Sequence, residues 1–514
     1  MMANWKKFLG FTLVAALVCG SAARASTSNN VPTYNGSYSG DRYSTLTQID
    51  RQNVARLRPV CSFQLGKVGP MQSSLIVQDG AIYFTQDDET YAIDARNCKQ
   101  IWHSSYVDAA KKSAIANRGV AYLDGVLYRG TMDAHLIALD AKTGKTLWDV
   151  PVADTADGSA VSGSPIAWNG KIFLGLSGAE SGVRGKIMAF STTNGTLLWT
   201  FDTVPAGSEA GADTWGTMGA AATGGGSWWT SATLDPTSGT VYFPIGNPAP
   251  DYAPASRPGA NLYTNSEVAL DANTGLLRWY FQLVPNDYHD WDTTVPPAMF
   301  TAANGKPMLA FAGKDGNLFL LDAVTHGLVA KVPVTTITNA DKPITPEGTY
   351  FCPNMGVQWN GPAYSERDKL VYINSVDWCS TIKLGVAHYV KGGPFLGSTN
   401  GSGLRGDERT GWLHAVDPTT GKIAWQYHAD GPMVAGITTT ASGLLFTGEY
   451  TGLFDAFDSS SGKTLYQFQT GAPMAGGVVT YAVGGKQYVA ASSGNTSVAS
   501  LHGGGAGTVY VFSL

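Results

Sequence analysis

The sequence has few cysteines, and none of them lies in a spacing that attaches haem or forms a typical cysteine metal site. The five cysteines form neither a CxxC nor a CxxCH pattern. Covalent attachment of haem requires CxxCH, and cysteine-based metal sites usually contain CxxC. Any electron transfer by this protein would therefore have to go to a separate partner.

Charged residues are also scarce. Only 14% of the residues are charged, and 34 Lys and Arg against 39 Asp and Glu give a formal net charge of −5. Proteins that bind nucleic acids or anionic membrane surfaces usually carry an excess of positive charge. The composition therefore disfavours both kinds of partner.

Long apolar runs are missing except at the N terminus. Lys6 and Lys7 precede the apolar run Phe8–Val18, and Ala23-Arg24-Ala25 offers a small-x-small cleavage site. This order is typical of a signal peptide, and the run is shorter than the roughly 20 residues that span a bilayer. We predict a signal peptide at residues 1–25, a single mature domain at residues 26–514, no membrane span and a periplasmic location.

Export places the remaining cysteines in an oxidising compartment, where disulfides persist. Four cysteines allow three connectivities. The two pairings nearest in sequence, Cys61 with Cys98 and Cys352 with Cys379, would each join neighbouring parts of a modular fold. We expect these two disulfides.

A phrase of the form A-x-D-x-x-T-G-x-x-x-W recurs along the chain. Recurrence at intervals of about 40 to 50 residues is typical of propellers and solenoids. Seven exact or weaker copies begin at Ala92, Ala138, Ala189, Ala269, Leu320, Ala415 and Ala456.

Each copy predicts a strand, a tight Thr-Gly turn and a second strand, with further strands before it. Four short strands per unit form a propeller blade, and the tryptophan that ends a repeat would pack between neighbouring blades. The gaps from Ala189 to Ala269 and from Leu320 to Ala415 are too long for one blade, so each contains a degenerate blade or an elaborated loop. We predict an all-β, eight-bladed β-propeller, closed by pairing of residues 507–512 with N-terminal strands.

One acidic segment stands out within this pattern. Asp287, Asp290 and Asp292 lie within six residues and next to aromatic residues. Carboxylates this close repel one another unless a cation or a shared proton neutralises them. The segment is either a solvated acidic turn or part of a metal site.

Together with segments elsewhere, this one resembles the quinoprotein alcohol dehydrogenases, which use pyrroloquinoline quinone (PQQ) and include the methanol dehydrogenase large subunit. The similarity runs from residues 34–44, YNGSYSGDRYS, to residues 484–490, GGKQYVA. It covers almost the whole mature chain. The resemblance implies oxidation of a primary or secondary alcohol, PQQ as cofactor and a soluble cytochrome c as electron acceptor, and it is compatible with a homodimer.

The resemblance also implies a set of metal ligands. Glu180, in SGAESGVRG, matches the family's metal-binding glutamate, and Asn247, in GNPAP, matches a second ligand. Asp290 matches the catalytic aspartate, which also binds the metal. Asp292 matches the additional carboxylate of the lanthanide-using members. Oxygen ligands suit a hard cation, and the extra carboxylate favours a trivalent lanthanide over Ca²⁺.

Five further residues match positions that contact PQQ in this family. Trp229 matches the aromatic floor on which the cofactor stacks, Arg118 the residue beside its reactive carbonyl, and Lys314 a second basic contact. Ser162 and Ser177 match hydroxyl groups at its carboxylates. Each residue alone is ordinary, and only the set points to the cofactor.

The sequence departs from the family at two places. Lys112-Ser113 replaces an adjacent cysteine pair, and Met71 replaces a glutamate that contacts the cofactor. These changes argue against a methanol dehydrogenase in the strict sense. Two alternatives remain at this point: a sugar- or polymer-directed dehydrogenase of the same class, and a non-catalytic periplasmic propeller similar to outer-membrane assembly scaffolds.

Overall fold

A computed structural model describes residues 30–108, 116–401, 409–494 and 505–514. The predicted signal peptide, residues 1–25, and Lys112-Ser113 lie outside the described residues. Within these ranges the regular secondary structure is almost entirely β-strand, and the strands form eight blades that follow one another along the chain. The predicted eight-bladed β-propeller is therefore confirmed.

The first four blades each contain four consecutive strands. Their bounds are Ile76–Gln78, Ala81–Gln86, Glu89–Asp94 and Gln100–Ser105 in blade 1; Ala121–Leu123, Val126–Gly130, His135–Asp140 and Thr146–Pro151 in blade 2; Ile166–Trp168, Lys171–Gly175, Lys186–Ser191 and Leu197–Asp202 in blade 3; and Thr233–Asp235, Thr240–Ile245, Ser266–Asp271 and Leu277–Gln282 in blade 4.

The last four blades follow the same plan with additions at the chain ends. Their bounds are Ala298–Thr301, Pro307–Ala312, Asn317–Asp322 and Leu328–Pro333 in blade 5; Ala363–Ser365, Leu370–Asp377, Thr410–Val416 and Ile423–Ala429 in blade 6; Thr438–Thr440, Leu444–Gly448, Leu453–Asp458 and Thr464–Gln469, joined by Tyr43–Ser44, in blade 7; and Val478–Val483, Lys486–Ser493, Thr508–Ser513 and Arg58–Gln64 in blade 8.

Blade 8 closes the ring with strands from both ends of the chain. Its outer strand, Arg58–Gln64, pairs antiparallel with the C-terminal strand Thr508–Ser513. This pairing was predicted from the unpartnered C-terminal strand. It removes an open sheet edge that could otherwise pair with another molecule.

The tryptophans that end the repeats pack on the turn of the next blade, as predicted. A Cβ atom on Gly144 of blade 2 would lie 2.5 Å from Trp102 of blade 1, and Gly275 of blade 4 bears the same relation to Trp199 of blade 3, at 2.6 Å. The Trp102 indole donates to the carbonyl of Ala141, 2.9 Å away. The repeat therefore encodes contacts between blades as well as hairpins within them.

The ring-closing contact between blades 8 and 1 is covalent. Cys61 lies on the outer strand of blade 8, and Cys98 occupies the turn position that holds glycine in most repeats. The two cysteines form a disulfide across the junction. Cys352 and Cys379 form the second predicted disulfide.

In the described residues, the two long gaps between repeats contain loops and no additional blade. The first includes the 3₁₀ turn Ala212–Trp215, the helix Met218–Ala222 and the 3₁₀ turn Pro254–Ser256; the second includes the two-stranded sheet of Thr349–Phe351 and Ser380–Ile382. Further 3₁₀ turns occur at Val54–Arg56, Thr155–Asp157 and Ala179–Ser181. None of the helices in the described part of the chain has the length and apolar character needed to cross a membrane.

Candidate active site

All the candidate site residues lie in loops at one end of the propeller. In each blade the loop between the second and third strands, and the connection to the next blade, emerge on the same face because the strands are antiparallel. Ser177, Glu180, Asn247 and Lys314 lie in loops of the first kind, and Arg118, Ser162, Trp229, Asp290 and Asp292 lie in connections. The topology therefore gathers residues that are far apart in sequence.

Lys314 bridges the two predicted carboxylates of the acidic segment. Its Nζ atom lies 2.8 Å from Asp290 Oδ1 and 2.6 Å from Asp292 Oδ2. Burial alone would lower its pKa, but the two carboxylates outweigh burial and raise the pKa of Lys314. Burial raises the pKa of Asp290 to about 7, although the ammonium opposes this shift.

Asp292 is fixed against the loop that carries Asn247. Its Oδ1 atom accepts a hydrogen bond of 2.8 Å from the Asn247 backbone amide. A Cβ atom on Gly246 would lie 2.4 Å from the same oxygen, so a glycine is needed for this approach. The two predicted ligand segments are therefore in direct contact.

Glu180 lies on the short 3₁₀ turn Ala179–Ser181, flanked by Gly178 and Gly182 at positive φ. Its carbonyl accepts a hydrogen bond of 2.7 Å from the Phe395 amide. Although solvent reaches the residue, desolvation by the surrounding protein and repulsion from Asp292 raise the pKa of its carboxyl group. Glu180 thus shares an electrostatic environment with the Lys314 cluster.

Asp287 has a different role from the other two aspartates of the acidic segment. Its carboxylate accepts hydrogen bonds from the backbone amides of His289 and Trp291, at 3.0 and 2.8 Å. These contacts shape the turn that presents Asp290 and Asp292. The His289 ring stacks on Trp291 with 4.0 Å between centroids, which anchors the same turn.

Asp251 is a site residue that sequence analysis missed. It is 1% exposed, and its Oδ1 atom has no hydrogen-bond partner among the described residues. Burial, followed by the charges of Asp290 and Glu180, raises the pKa of Asp251 well above its ordinary value. The available signal was its place in the predicted ligand loop, four residues after Asn247.

The donor set suits a multivalent hard cation. Four carboxylates influence one another electrostatically: those of Glu180, Asp251, Asp290 and Asp292. Two cations accompany them, Lys314 and Arg118. The excess of negative charge and the all-oxygen donors fit Ca²⁺ or a lanthanide. Within the described residues, however, no three Asp, Glu, His or Cys side chains are grouped as a metal site. The Lys314 ammonium holds two of the carboxylates instead.

An aromatic and cationic wall lies beside this acidic cluster. The Arg118 guanidinium carbon lies 4.6 Å from the centroid of Trp229 and 5.3 Å from that of Trp359, and Lys314 Nζ lies 5.7 Å from Trp229. Arg118 also donates to the Trp229 carbonyl and to Gln72 Oε1, both at 2.8 Å. Flat rings flanked by cations suit a planar anionic ligand. Trp359 and Gln72 had no sequence signature that marked them.

The two predicted serines make backbone contacts at the same end of the ring. The Ser177 hydroxyl donates to the Ala160 carbonyl at 3.0 Å, and the Ser162 carbonyl accepts from the Arg118 amide at 3.0 Å. Ser162 therefore fixes the segment that carries Arg118. The proposed contacts of both hydroxyl groups with a cofactor remain predictions.

Comparisons with known proteins agree with this geometry. The family model for the PQQ glucose/ethanol/alcohol dehydrogenase β-propeller domain matches residues 31–344 and 428–489. The quinoprotein alcohol dehydrogenase PedH of Pseudomonas putida is 32% identical over 557 aligned positions, covering 96% of this chain and 92% of PedH.

Solved structures give the same picture. A europium-containing methanol dehydrogenase superposes with a TM-score of 0.86 and 26% identity, covering 95% of this chain and 98% of the other. The quinohemoprotein alcohol dehydrogenase of Comamonas testosteroni superposes with a TM-score of 0.84 and 28% identity, covering 96% and 81%. These relatives are dehydrogenases, so the comparisons do not support the non-catalytic scaffold.

Proposed function

Because this chain belongs to the family of PQQ-dependent alcohol dehydrogenases, we propose that it oxidises a primary or secondary alcohol in the periplasm and passes the electrons to a soluble cytochrome c. The observation that carries the proposal is the convergence of Asp290, Lys314, Arg118 and Trp229 on one face of the ring. This set combines a base, two cations and an aromatic surface.

Trp229 and Arg118 would hold the cofactor, with Lys314, Ser162 and Ser177 at its rim. The short distances from both cations to the Trp229 ring support this assignment. Glu180, Asn247, Asp290 and Asp292 would hold the metal, and the excess of carboxylates over cations favours a lanthanide over Ca²⁺. When bound, PQQ supplies a two-electron acceptor for hydride and the metal supplies Lewis acidity.

Asp290 is the proposed general base. Its carboxylate would accept the hydroxyl proton of the alcohol as hydride leaves the adjacent carbon. Lys314, 2.8 Å away, stabilises the ionised form of Asp290, and the low exposure of both side chains limits the access of water to this proton transfer. Arg118 would stabilise the negative charge that develops on the oxygen of the cofactor's reactive carbonyl.

The location and the electron acceptor rest on sequence features. The predicted signal peptide directs the chain to the periplasm, and the absence of CxxCH from the sequence leaves covalent haem to a partner. A soluble cytochrome c is the carrier that the family resemblance implies.

The proposal is tested by reconstituting the purified protein with PQQ and either Ca²⁺ or La³⁺, then assaying a panel of alcohols with an artificial electron acceptor. We expect alcohol oxidation, with La³⁺ more effective than Ca²⁺. Asp290→Asn should reduce kcat by at least about 100-fold while PQQ absorbance is retained, because general-base catalysis is worth about that much. Full turnover by Asp290→Asn, or failure to bind PQQ with either metal, would contradict the proposal.

A further inference from the structure

Asp251 has an unused hydrogen-bonding capacity beside the proposed general base. It is 1% exposed, and its Oδ1 atom finds no partner in the described part of the chain. The next residue, Tyr252, is 0% exposed, and its hydroxyl group also lacks a partner among the described residues. Buried polar groups without partners are rare in native proteins and need an explanation.

The backbone around Asp251 is held firmly in place. Arg257 donates to the carbonyls of Pro250 and Asp251, at 3.0 and 3.2 Å, and to the carbonyl of Asp287. The Tyr252 amide donates to the Leu396 carbonyl at 2.9 Å. Arg257 thus ties the Asp251 loop to the turn that carries Asp290. The loop cannot carry the Asp251 carboxyl group out to solvent without breaking these contacts.

Asp251 lies in a loop that Arg257 joins to the turn preceding Asp290. Of all the charges around it, that of Asp290 acts on it most strongly, followed by those of Glu180, Lys314 and Asp292. Tyr252 is likewise influenced first by Asp290 among its charged neighbours. The two adjacent unused groups differ in chemistry, one a carboxyl and the other a phenol. A ligand that forms hydrogen bonds accounts for both.

We propose that Asp251 binds a second hydroxyl group of the substrate, so that the preferred substrates are diols and polyols. The inference rests on the proposed function, because it assigns a substrate class to the same site. The Asp251 carboxyl oxygen would accept a hydrogen bond from the second hydroxyl while Asp290 faces the first. Tyr252 offers an additional buried hydroxyl group at the adjacent position. Asp251 is thus a positioning residue for the substrate.

The test compares three alcohols of nearly equal size: ethanol, ethylene glycol and 2-aminoethanol. The ratio of kcat/KM for ethylene glycol to that for ethanol does not depend on the fraction of active enzyme. We expect a ratio of roughly 2 to 10 for the holoenzyme, as one hydrogen bond to a buried carboxyl group provides. Asp251→Leu should reduce the ratio to about 1, mainly by raising KM for the glycol.

Two variants serve as controls. Asp251→Asn keeps an acceptor oxygen and should retain part of the preference, so it tests the idea even if the leucine variant does not fold. Asp124→Asn alters an exposed aspartate in a blade 2 turn and should leave the ratio unchanged.

The outcomes separate this inference from the function on which it rests. Equal kcat/KM for ethanol and ethylene glycol, or an unchanged ratio in Asp251→Leu, overturns the role of Asp251 alone. A preference for 2-aminoethanol over ethylene glycol overturns the diol assignment and identifies an ammonium ligand. Failure to oxidise any alcohol overturns the proposed function as well.

Discussion

Packing of tryptophan on glycine between blades can be tested with one pair of substitutions in blade 2. Gly144 has a φ of +71°, and a Cβ atom there would lie 2.5 Å from Cε3 of Trp102. Gly125 in the same blade has a φ of +84°, but nothing lies within 4 Å of its Cβ position. Alanine at either position incurs the cost of positive φ, and only Gly144→Ala also disturbs the junction.

The expected magnitudes follow from these two contributions. Alanine in the left-handed region costs about 1 to 2 kcal/mol, which is the whole effect expected for Gly125→Ala. Displacing the Trp102 ring adds about 1 to 3 kcal/mol of overpacking. Gly144→Ala should therefore lower the free energy of unfolding by about 2 to 5 kcal/mol.

Urea unfolding followed by circular dichroism measures both variants, and equal m-values would show that only stability has changed. In a Trp102→Leu background the excess cost of Gly144→Ala should shrink, because the two residues are coupled. Equal losses for Gly144→Ala and Gly125→Ala would refute the role assigned to the missing Cβ atom.

Two further predictions concern stability. The carboxyl oxygens of Glu267 have no partner among the described residues, and burial raises the pKa of this group well above 4.5. The contribution of Glu267 to the free energy of unfolding is therefore fully present below pH 4.5 and is lost as pH rises through the raised pKa. Glu267→Gln should raise the urea midpoint at pH 8 and not at pH 4. The disulfide Cys61–Cys98 closes a sequence separation of 37 residues; replacing both cysteines by serine should lower the free energy of unfolding by about 4 kcal/mol, measured against wild type under the same oxidising conditions.

The sequence predicted the architecture well because the repeated phrase contains the residues that pack one blade against the next. Most of the repeat tryptophans pack on a glycine of the next blade, whereas Trp279 stacks on His326 at the same turn position. Blade 8 carries no such phrase and was inferred only from the C-terminal strand. The long gaps remained ambiguous because irregular loops have no periodicity, and the structure shows them to be loops.

The site was predictable only where short motifs carried it. Asp251, Gln72 and Trp359 lie singly in irregular loops, and their proximity to the other residues depends on the tertiary fold. Asp287 shows that closeness in sequence can also mislead. Its carboxylate accepts hydrogen bonds from the backbone amides of His289 and Trp291, so it shapes the turn and is not one of the candidate ligands.

Blade 8 combines one strand from the N-terminal part of the chain with three from the C-terminal part, which affects how the ring is assembled. The strand Arg58–Gln64 is made early, yet its partner Thr508–Ser513 is the last strand of the chain. Closure of the ring therefore waits until the strand Thr508–Ser513 is made, and the disulfide between Cys61 and Cys98 joins the early strand to blade 1. Removing the terminal strand would leave both flanking strands as exposed edges, and self-association would follow.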